Sequence, residues 1–297
     1  MTAITLLDGA IGQELVRRTE DRATPLWSTQ VMIDRPGLVG EVHADYFRAG
    51  ATVATTNTYA LHRSRLIRVG LQDRLAELVE VALEQAGRAR DTHGGRVAGA
   101  LGPLLASYRP DLKPDPVDAA RQYADLVALM RDRVDVFLIE TVSSLLEAEG
   151  TLSGTRGCGK PVWLALSVMD EDGTRLRSGE PLADIAQLLQ DFRPDALLIN
   201  CCRPEAVPAA VEILAGFGKP FGAYANGFTR ISEGFLTDAP TVDALERRTD
   251  LDPGTYADHA MGWVAQGATI VGGCCEIGPA HIRELATRLQ TAGHHIV

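Results

Sequence analysis

The chain is poor in aromatic residues, which fill 5% of its 297 positions, and it has no long basic run. Lys and Arg total 29 against 39 Asp and Glu, so the formal charge of −10 argues against a general nucleic-acid surface. Nothing approaches the roughly 20 consecutive apolar residues that span a bilayer. The N-terminus, Met1-Thr-Ala-Ile-Thr-Leu-Leu-Asp8, lacks the charged region and long apolar core of a signal peptide. These absences predict a cytoplasmic protein with neither a membrane nor a nucleic-acid partner. Cysteine is scarce as well. Five in a chain this long make no disulfide framework, and an odd number fits metal binding or reactive thiols better than complete pairing. No linker, low-complexity tract or repeat divides the chain, so residues 1–297 are expected to form a single domain.

What is present is an alternation. Strand-like apolar runs recur at Ile4–Leu7, Ala51–Thr55, Val97–Leu101, Val134–Ile139, Val162–Val168, Ala196–Ile199, Phe221–Tyr224 and Thr269–Val271. Such near-continuous runs suit a parallel sheet buried on both faces. Helical periodicity lies between them, at Asp73–Arg90, Asp118–Arg131, Leu182–Phe192, Glu205–Leu214 and Pro279–Leu289, with Pro279 placed to open the last. The pattern predicts an α/β protein, a (β/α)8 TIM barrel. A doubly wound open sheet is the alternative. It lacks support from an early dinucleotide fingerprint, because Asp8-Gly-Ala-Ile-Gly12 has the wrong spacing. The long connections Glu20–Pro36, Pro103–Val117 and Ala225–Tyr256 follow strand C-terminal ends, where barrels build their active sites.

Those strand ends carry the chemistry. They read Asp8-Gly9-Ala10, Thr55-Thr56-Asn57-Thr58-Tyr59, Gly102-Pro103, Glu140-Thr141, Ser167, Asn200-Cys201, Tyr224 and Cys274-Cys275. Thiols converging from two parallel strands, Cys201 with Cys274 and Cys275, suit a soft metal, most simply zinc with one position open for substrate. Buried cysteines also pack as small hydrophobes. A closed site would need a fourth ligand, and His281 is nearest in sequence, although its helical setting fits a packed surface histidine better. A vicinal disulfide is a further alternative, while Cys158 and Cys202 read as incidental. Asp8 and Glu140 at buried strand ends each need a partner; together they could clamp an ammonium group, act as an acid/base pair, or serve as ion-pair and capping residues. Trp27, Tyr59 and Tyr224 offer aromatic faces to a cationic ligand, at roughly 0.5–2 kcal/mol per contact, or simple packing. The loop Tyr108-Arg-Pro-Asp-Leu-Lys113 reads as a solvated turn or a lid.

With these residues assembled, the chain resembles the homocysteine S-methyltransferase family of zinc-dependent barrels over nearly its whole length. The resemblance rests on Leu6-Leu-Asp-Gly-Ala-Ile-Gly-Gln-Glu-Leu15, Pro25-Leu-Trp-Ser28, His43-Ala-Asp-Tyr-Phe-Arg-Ala-Gly-Ala51, Thr55-Thr-Asn-Thr-Tyr59, Ile139-Glu-Thr141, Ile199-Asn-Cys201 and Gly272-Gly-Cys-Cys275. It implies that Cys201, Cys274 and Cys275 bind zinc. It also implies that Asp8 and Glu140 hold the homocysteine amino group, with Gly9, Thr56 and Asn200 completing that site and Trp27, Tyr59 and Tyr224 lining a donor pocket. The implied reaction moves a methyl group from a sulfonium or quaternary ammonium donor to the zinc-activated thiol of homocysteine, giving methionine. Another small thiol or selenol acceptor is the alternative, and a non-catalytic zinc-binding barrel is the alternative of a different kind. After the seventh strand the chain reads Tyr224-Ala-Asn-Gly-Phe228 where many relatives carry Tyr-Pro-Asn-Ser-Gly, and the loop after Gly102-Pro103 also departs from the family pattern.

Overall fold

In the computed structural model, described for residues 2–19, 26–112, 114–231 and 245–297, nine strands form one parallel sheet. They are β1 (Ala3–Leu6), β2 (Val53–Thr55), β3 (Arg96–Leu101), β4 (Val136–Val142), β5 (Val162–Leu166), β6 (Ala196–Asn200), β7 (Phe221–Tyr224), β8 (Ile270–Val271) and β9 (His295–Ile296). The order is β2-β3-β4-β5-β6-β7-β8-β1-β9. All eight expected strands are present, each separated from the next by helix. Positions 20–25 of Glu20–Pro36, Lys113 of the Tyr108–Lys113 loop, and 232–244 of Ala225–Tyr256 lie outside the described residues.

The sheet curls until β1 approaches β2. Leu7 bridges Val53 in parallel, the Asp8 N–H donates to the Val53 carbonyl at 3.2 Å, and the Thr52 N–H donates to Leu6 at 2.7 Å. The ninth strand was not anticipated. It pairs with the other end of β1, Ala3 opposite His295 and Ile4 opposite Ile296, and a two-residue segment carries no periodicity to announce it.

Two apolar layers result from the period-2 alternation of side chains. Val136 and Leu138 of β4, and Ala196 and Leu198 of β6, face inward with Leu7, Val53 and Trp163. Their neighbours Phe137, Ile139, Leu197 and Ile199 face the helices. Continuing the inward alternation beyond Leu138 puts Glu140 at the cavity end of β4. The strand runs to Val142 and not to Ile139 as expected, with its register against β5 shifting between Ile139 and Val142.

Helix starts follow local chemistry. The Asp115 carboxylate accepts from the N–H groups of Val117 and Asp118 ahead of helix Pro116–Met130, and Asp252 accepts from Thr255 ahead of Pro253–Ala265. Pro279 does open Pro279–Thr291. Among the described residues no helix is long and apolar enough to cross a membrane.

Close strand packing constrains one glycine sharply. A Cβ on Gly222 would lie 1.7 Å from the Ile270 carbonyl oxygen of β8. Gly222→Ala is therefore expected to lower stability by about 1–3 kcal/mol, as overpacking does, seen as a lower urea midpoint at unchanged slope.

Candidate active site

The C-terminal ends of the strands surround a cavity of about 370 Å³. At one part of its wall, the turn after β8 brings in the paired cysteines. Gly273 donates its N–H to the Asp8 carbonyl at 2.9 Å, and Cys274 donates to Ala225 at 3.0 Å, so this turn is tied to the ends of β1 and β7. Gly9 permits the approach: a Cβ there would sit 2.0 Å from the Ile277 carbonyl. Cys201 comes from the end of β6, in the left-handed region at φ 52°. Its carbonyl accepts from Arg177 Nη2 at 3.0 Å and Ser167 Oγ at 3.3 Å.

The three sulfurs lie within 4.8 Å of one another, the one such group of potential metal ligands among the described residues. Cys201 and Cys274 are paired as a disulfide, and Cys275 Sγ lies 3.8 Å and 3.9 Å from them. Free thiols at all three positions were expected; metal binding here therefore needs that pair reduced. The donor set suits a soft divalent ion, having three sulfurs and no fourth His, Cys, Asp or Glu among the described residues. Burial, with Glu276 adding to it and Gln13 opposing, pushes the Cys275 thiol up to about 12. Without a cation the site thus favours the neutral thiol, and a metal reverses that preference. His281 is engaged elsewhere, accepting from Gly278 N–H at Nδ1 and meeting the Leu251 carbonyl at Nε2.

Asp8 and Glu140 line the same cavity. Thr55 donates to Asp8 twice, from N–H to Oδ2 at 2.6 Å and from Oγ1 to Oδ1 at 2.7 Å. Burial nevertheless raises the Asp8 carboxyl to about 8; the Thr55 bonds oppose this, and the Glu140 charge adds to it. Burial likewise raises Glu140 to about 7, against the 3.0 Å hydrogen bond donated by the Tyr224 hydroxyl. Tyr224, expected in a donor pocket, lines this same cavity with its hydroxyl on Glu140.

Gly9, Thr56, Trp27 and Tyr59 also line the cavity, while Asn200 lies behind its wall. The Asn200 amide accepts from Thr141 N–H at 2.9 Å and donates to Thr141 Oγ1 at 3.2 Å, bracing the residue after Glu140. Trp27 and Tyr59 meet edge to face with centroids 6.4 Å apart.

A family model described as homocysteine S-methyltransferase matches residues 5–289. The chain belongs to that family. It is 31% identical to the homocysteine S-methyltransferase of Escherichia coli strain K12, over 96% of this chain and 95% of the relative. It is also similar to crystal structures of the homocysteine methyltransferase MmuM from Escherichia coli. The metallated form gives a TM-score of 0.81 at 29% identity, covering 97% of this chain and 96% of that one. The oxidised form gives 0.80 at 29% identity, covering 96% of each.

Within this family frame, three cavity residues escaped the sequence reading. Tyr108, in a loop read as a solvated turn or a lid, is buried in the cavity wall, and the Arg177 guanidinium lies 4.8 Å over its ring. Gln13 faces Cys275 and accepts from Glu276 N–H at 3.3 Å. Phe228 closes another part of the wall. Gln13 lay one helical turn after Gly9 inside a quoted motif, a findable signal; Tyr108 had none.

The raised carboxyls have a consequence for stability. Folded, Asp8 holds its proton from its ordinary 3.8 up to about 8, where the unfolded chain has released it. The folded state then binds more protons, so ligand-free stability falls as pH rises through that window. Asp8→Asn should accordingly be more stable than wild type in urea at pH 8, with the gap closing toward pH 4. An equal gap at both values would contradict the assignment.

Proposed function

We propose that the protein transfers a methyl group from a sulfonium or quaternary ammonium donor to the thiol of homocysteine, giving methionine. One zinc ion would be held by Cys201, Cys274 and Cys275. The observation that carries this reading is the meeting, in one cavity, of three sulfurs with two carboxylates whose charge burial leaves unpaired. Family membership sets aside the non-catalytic barrel. The same reading makes residues 1–297 a single closed eight-stranded barrel with β9 as an extra strand, supported by the Leu7–Val53 bridge. A cytoplasmic setting is supported by the need to keep three sulfurs reduced.

When bound, zinc would supply the positive charge that favours the thiolate form of a substrate thiol. The chain's residues do the rest. Asp8 and Glu140 take the substrate ammonium between them, and its arrival draws both carboxyls to their ionised forms. Tyr224 fixes Glu140 by its hydroxyl, and Asn200 fixes the neighbouring Thr141 backbone. That sets the amino end of homocysteine and leaves its sulfur directed along the cavity. Trp27, Tyr59, Tyr108 and Phe228 present aromatic surface to a cationic methyl donor and keep water out. Alignment of sulfur and methyl carbon is then a matter of position, with no covalent enzyme intermediate.

Reduced protein should bind about one zinc per chain, and Cys275→Ala should lose the metal together with more than about 100-fold of methionine formation. Metal analysis and methionine assays across a donor panel test this. A zinc-free preparation with full activity would overturn it. Asp8→Asn is expected to raise KM for homocysteine about tenfold or more while leaving zinc content unchanged, as loss of a charged hydrogen-bond partner does.

A further inference from the structure

Two of the three sulfurs share one turn, and the third comes from elsewhere. Cys274 and Cys275 follow β8 in a turn fixed by backbone bonds, among them Gly227 N–H to the Cys275 carbonyl at 2.8 Å. Cys201 lies one residue beyond β6, and its N–H reaches the Tyr224 carbonyl at 3.3 Å. It is also in the left-handed region, where the β-carbon crowds its own backbone, so neighbouring groups must impose that shape. Bringing three sulfurs together therefore turns on what holds Cys201.

The segment after β5 supplies the holder. Val168 bridges Leu176 in antiparallel fashion and the Met169 N–H donates to the Arg175 carbonyl at 3.0 Å, so residues 168–176 double back and return Arg177 over the end of β5. Its guanidinium spreads as a fork. Nη2 donates to the Cys201 carbonyl at 3.0 Å and to Asp170 Oδ1 at 2.9 Å, while Nε donates to Ser167 Oγ at 2.8 Å. Ser167 Oγ in turn donates to the same Cys201 carbonyl at 3.3 Å. The guanidinium face covers the ring of Tyr108, a second left-handed residue. Asp170 has anchors of its own, accepting from Arg203 N–H at 3.0 Å and Ile231 N–H at 3.4 Å. Desolvation offsets much of the attraction in a buried ion pair, so stability alone does not account for this one. What the pair adds is direction.

We propose that Arg177 is a positioning residue of the metal centre: held by Asp170, it fixes the Cys201 backbone so that this sulfur meets the Cys274–Cys275 turn, and metal affinity depends on its fork of donors. This rests on reading the three cysteines as a metal site. A lysine at 177 could pair with Asp170, but its single ammonium lacks the planar fork that reaches Ser167 and the Cys201 carbonyl together.

The test uses reduced protein and measures zinc affinity by competition with a chromophoric chelator, alongside the urea midpoint. Arg177→Lys should remain folded yet bind zinc about tenfold or more weakly, the loss typical when a group that orients a metal ligand is removed. Its cobalt-loaded form should show displaced sulfur-to-metal absorption bands, which a purely structural role would leave in place. Asp170→Asn, which loosens the guanidinium without touching a cysteine, should weaken zinc binding in the same direction, and it decides the matter if Arg177→Lys does not fold. Arg175→Ala removes an exposed side chain engaged with Asp172 and the Gly179 carbonyl, and should change neither affinity nor spectrum. Wild-type affinity and bands in folded Arg177→Lys, an equal loss in Arg175→Ala, or a reduced wild-type protein that binds no zinc would each overturn the positioning role. Methionine formation is scored separately. Weakened zinc binding in the variants, with no methionine from any donor even in the wild type, would sink the methyltransferase reading and leave the role of Arg177 standing. Zinc-dependent methionine formation with unaltered affinity in the variants would do the reverse.

Discussion

All nine strands run the same way, and this shared direction is what the site depends on. A parallel sheet curled around one apolar interior must deliver the C-terminal ends of its strands to one face. Asp8, Glu140, Cys201 and the Cys274–Cys275 pair are scattered through the sequence, yet each lies at or just beyond the C-terminal part of a strand and each reaches the same cavity. Below them the inward positions are filled by Val136, Leu138, Ala165, Ala196 and Leu198, so the interior is a packed floor and the polar groups collect on top. A polar residue one step earlier along β4, at Ile139, would face the helices instead.

Direction alone does not aim the side chains. Among the described residues, five other than glycine hold positive φ: Trp27, Tyr108, Thr141, Cys201 and Glu276. Four line the cavity, and the fifth follows Cys275. Such sparsely populated conformations cost about 1–3 kcal/mol each, so the surrounding contacts must hold them. For Cys201 the holder is visible. Arg177 donates to its carbonyl, to Ser167 Oγ at 2.8 Å and to Asp170 at 2.9 Å, while its face covers Tyr108. Asp170 in turn accepts from the Arg203 N–H at 3.0 Å. One largely buried ion pair thereby fixes a sulfur-bearing residue from β6 relative to an aromatic residue from the loop after β3.

This division explains what the sequence disclosed. Strand positions are readable because burial on both faces produces continuous apolar runs, and the residues at the ends of those runs can be named from the sequence. The cysteines, Asp8 and Glu140 were readable for that reason. Asn200 and Tyr224 were named, but their placement was not: Asn200 acts through Thr141, and Tyr224 bonds Glu140. The extension of β4 through Thr141 escaped because a register shift has no compositional mark. Arg177 and Tyr108 escaped because their contact joins loops 69 positions apart, and loop composition says only that a segment is polar. The ninth strand depends on pairing with β1, a tertiary fact.

The electrostatics of the cavity can be weighed against the chemistry assigned to it. In the proposed transfer a cationic donor and an anionic sulfur would meet, and their products would be neutral at the reacting atoms. Charge is therefore being annihilated along the reaction, and surroundings of low polarity favour the transition state relative to separated, hydrated ions. A wall of Trp27, Tyr59, Tyr108 and Phe228 supplies such surroundings. The same dryness raises Asp8 to about 8 and Glu140 to about 7. Under the proposed reading, an ammonium group entering between them would remove that burden by pairing with their ionised forms, so the carboxylates would bind the acceptor without taking part in the transfer. On that reading the carboxylates would hold a part of the acceptor that does not react, leaving the aromatic wall apolar where the methyl would move.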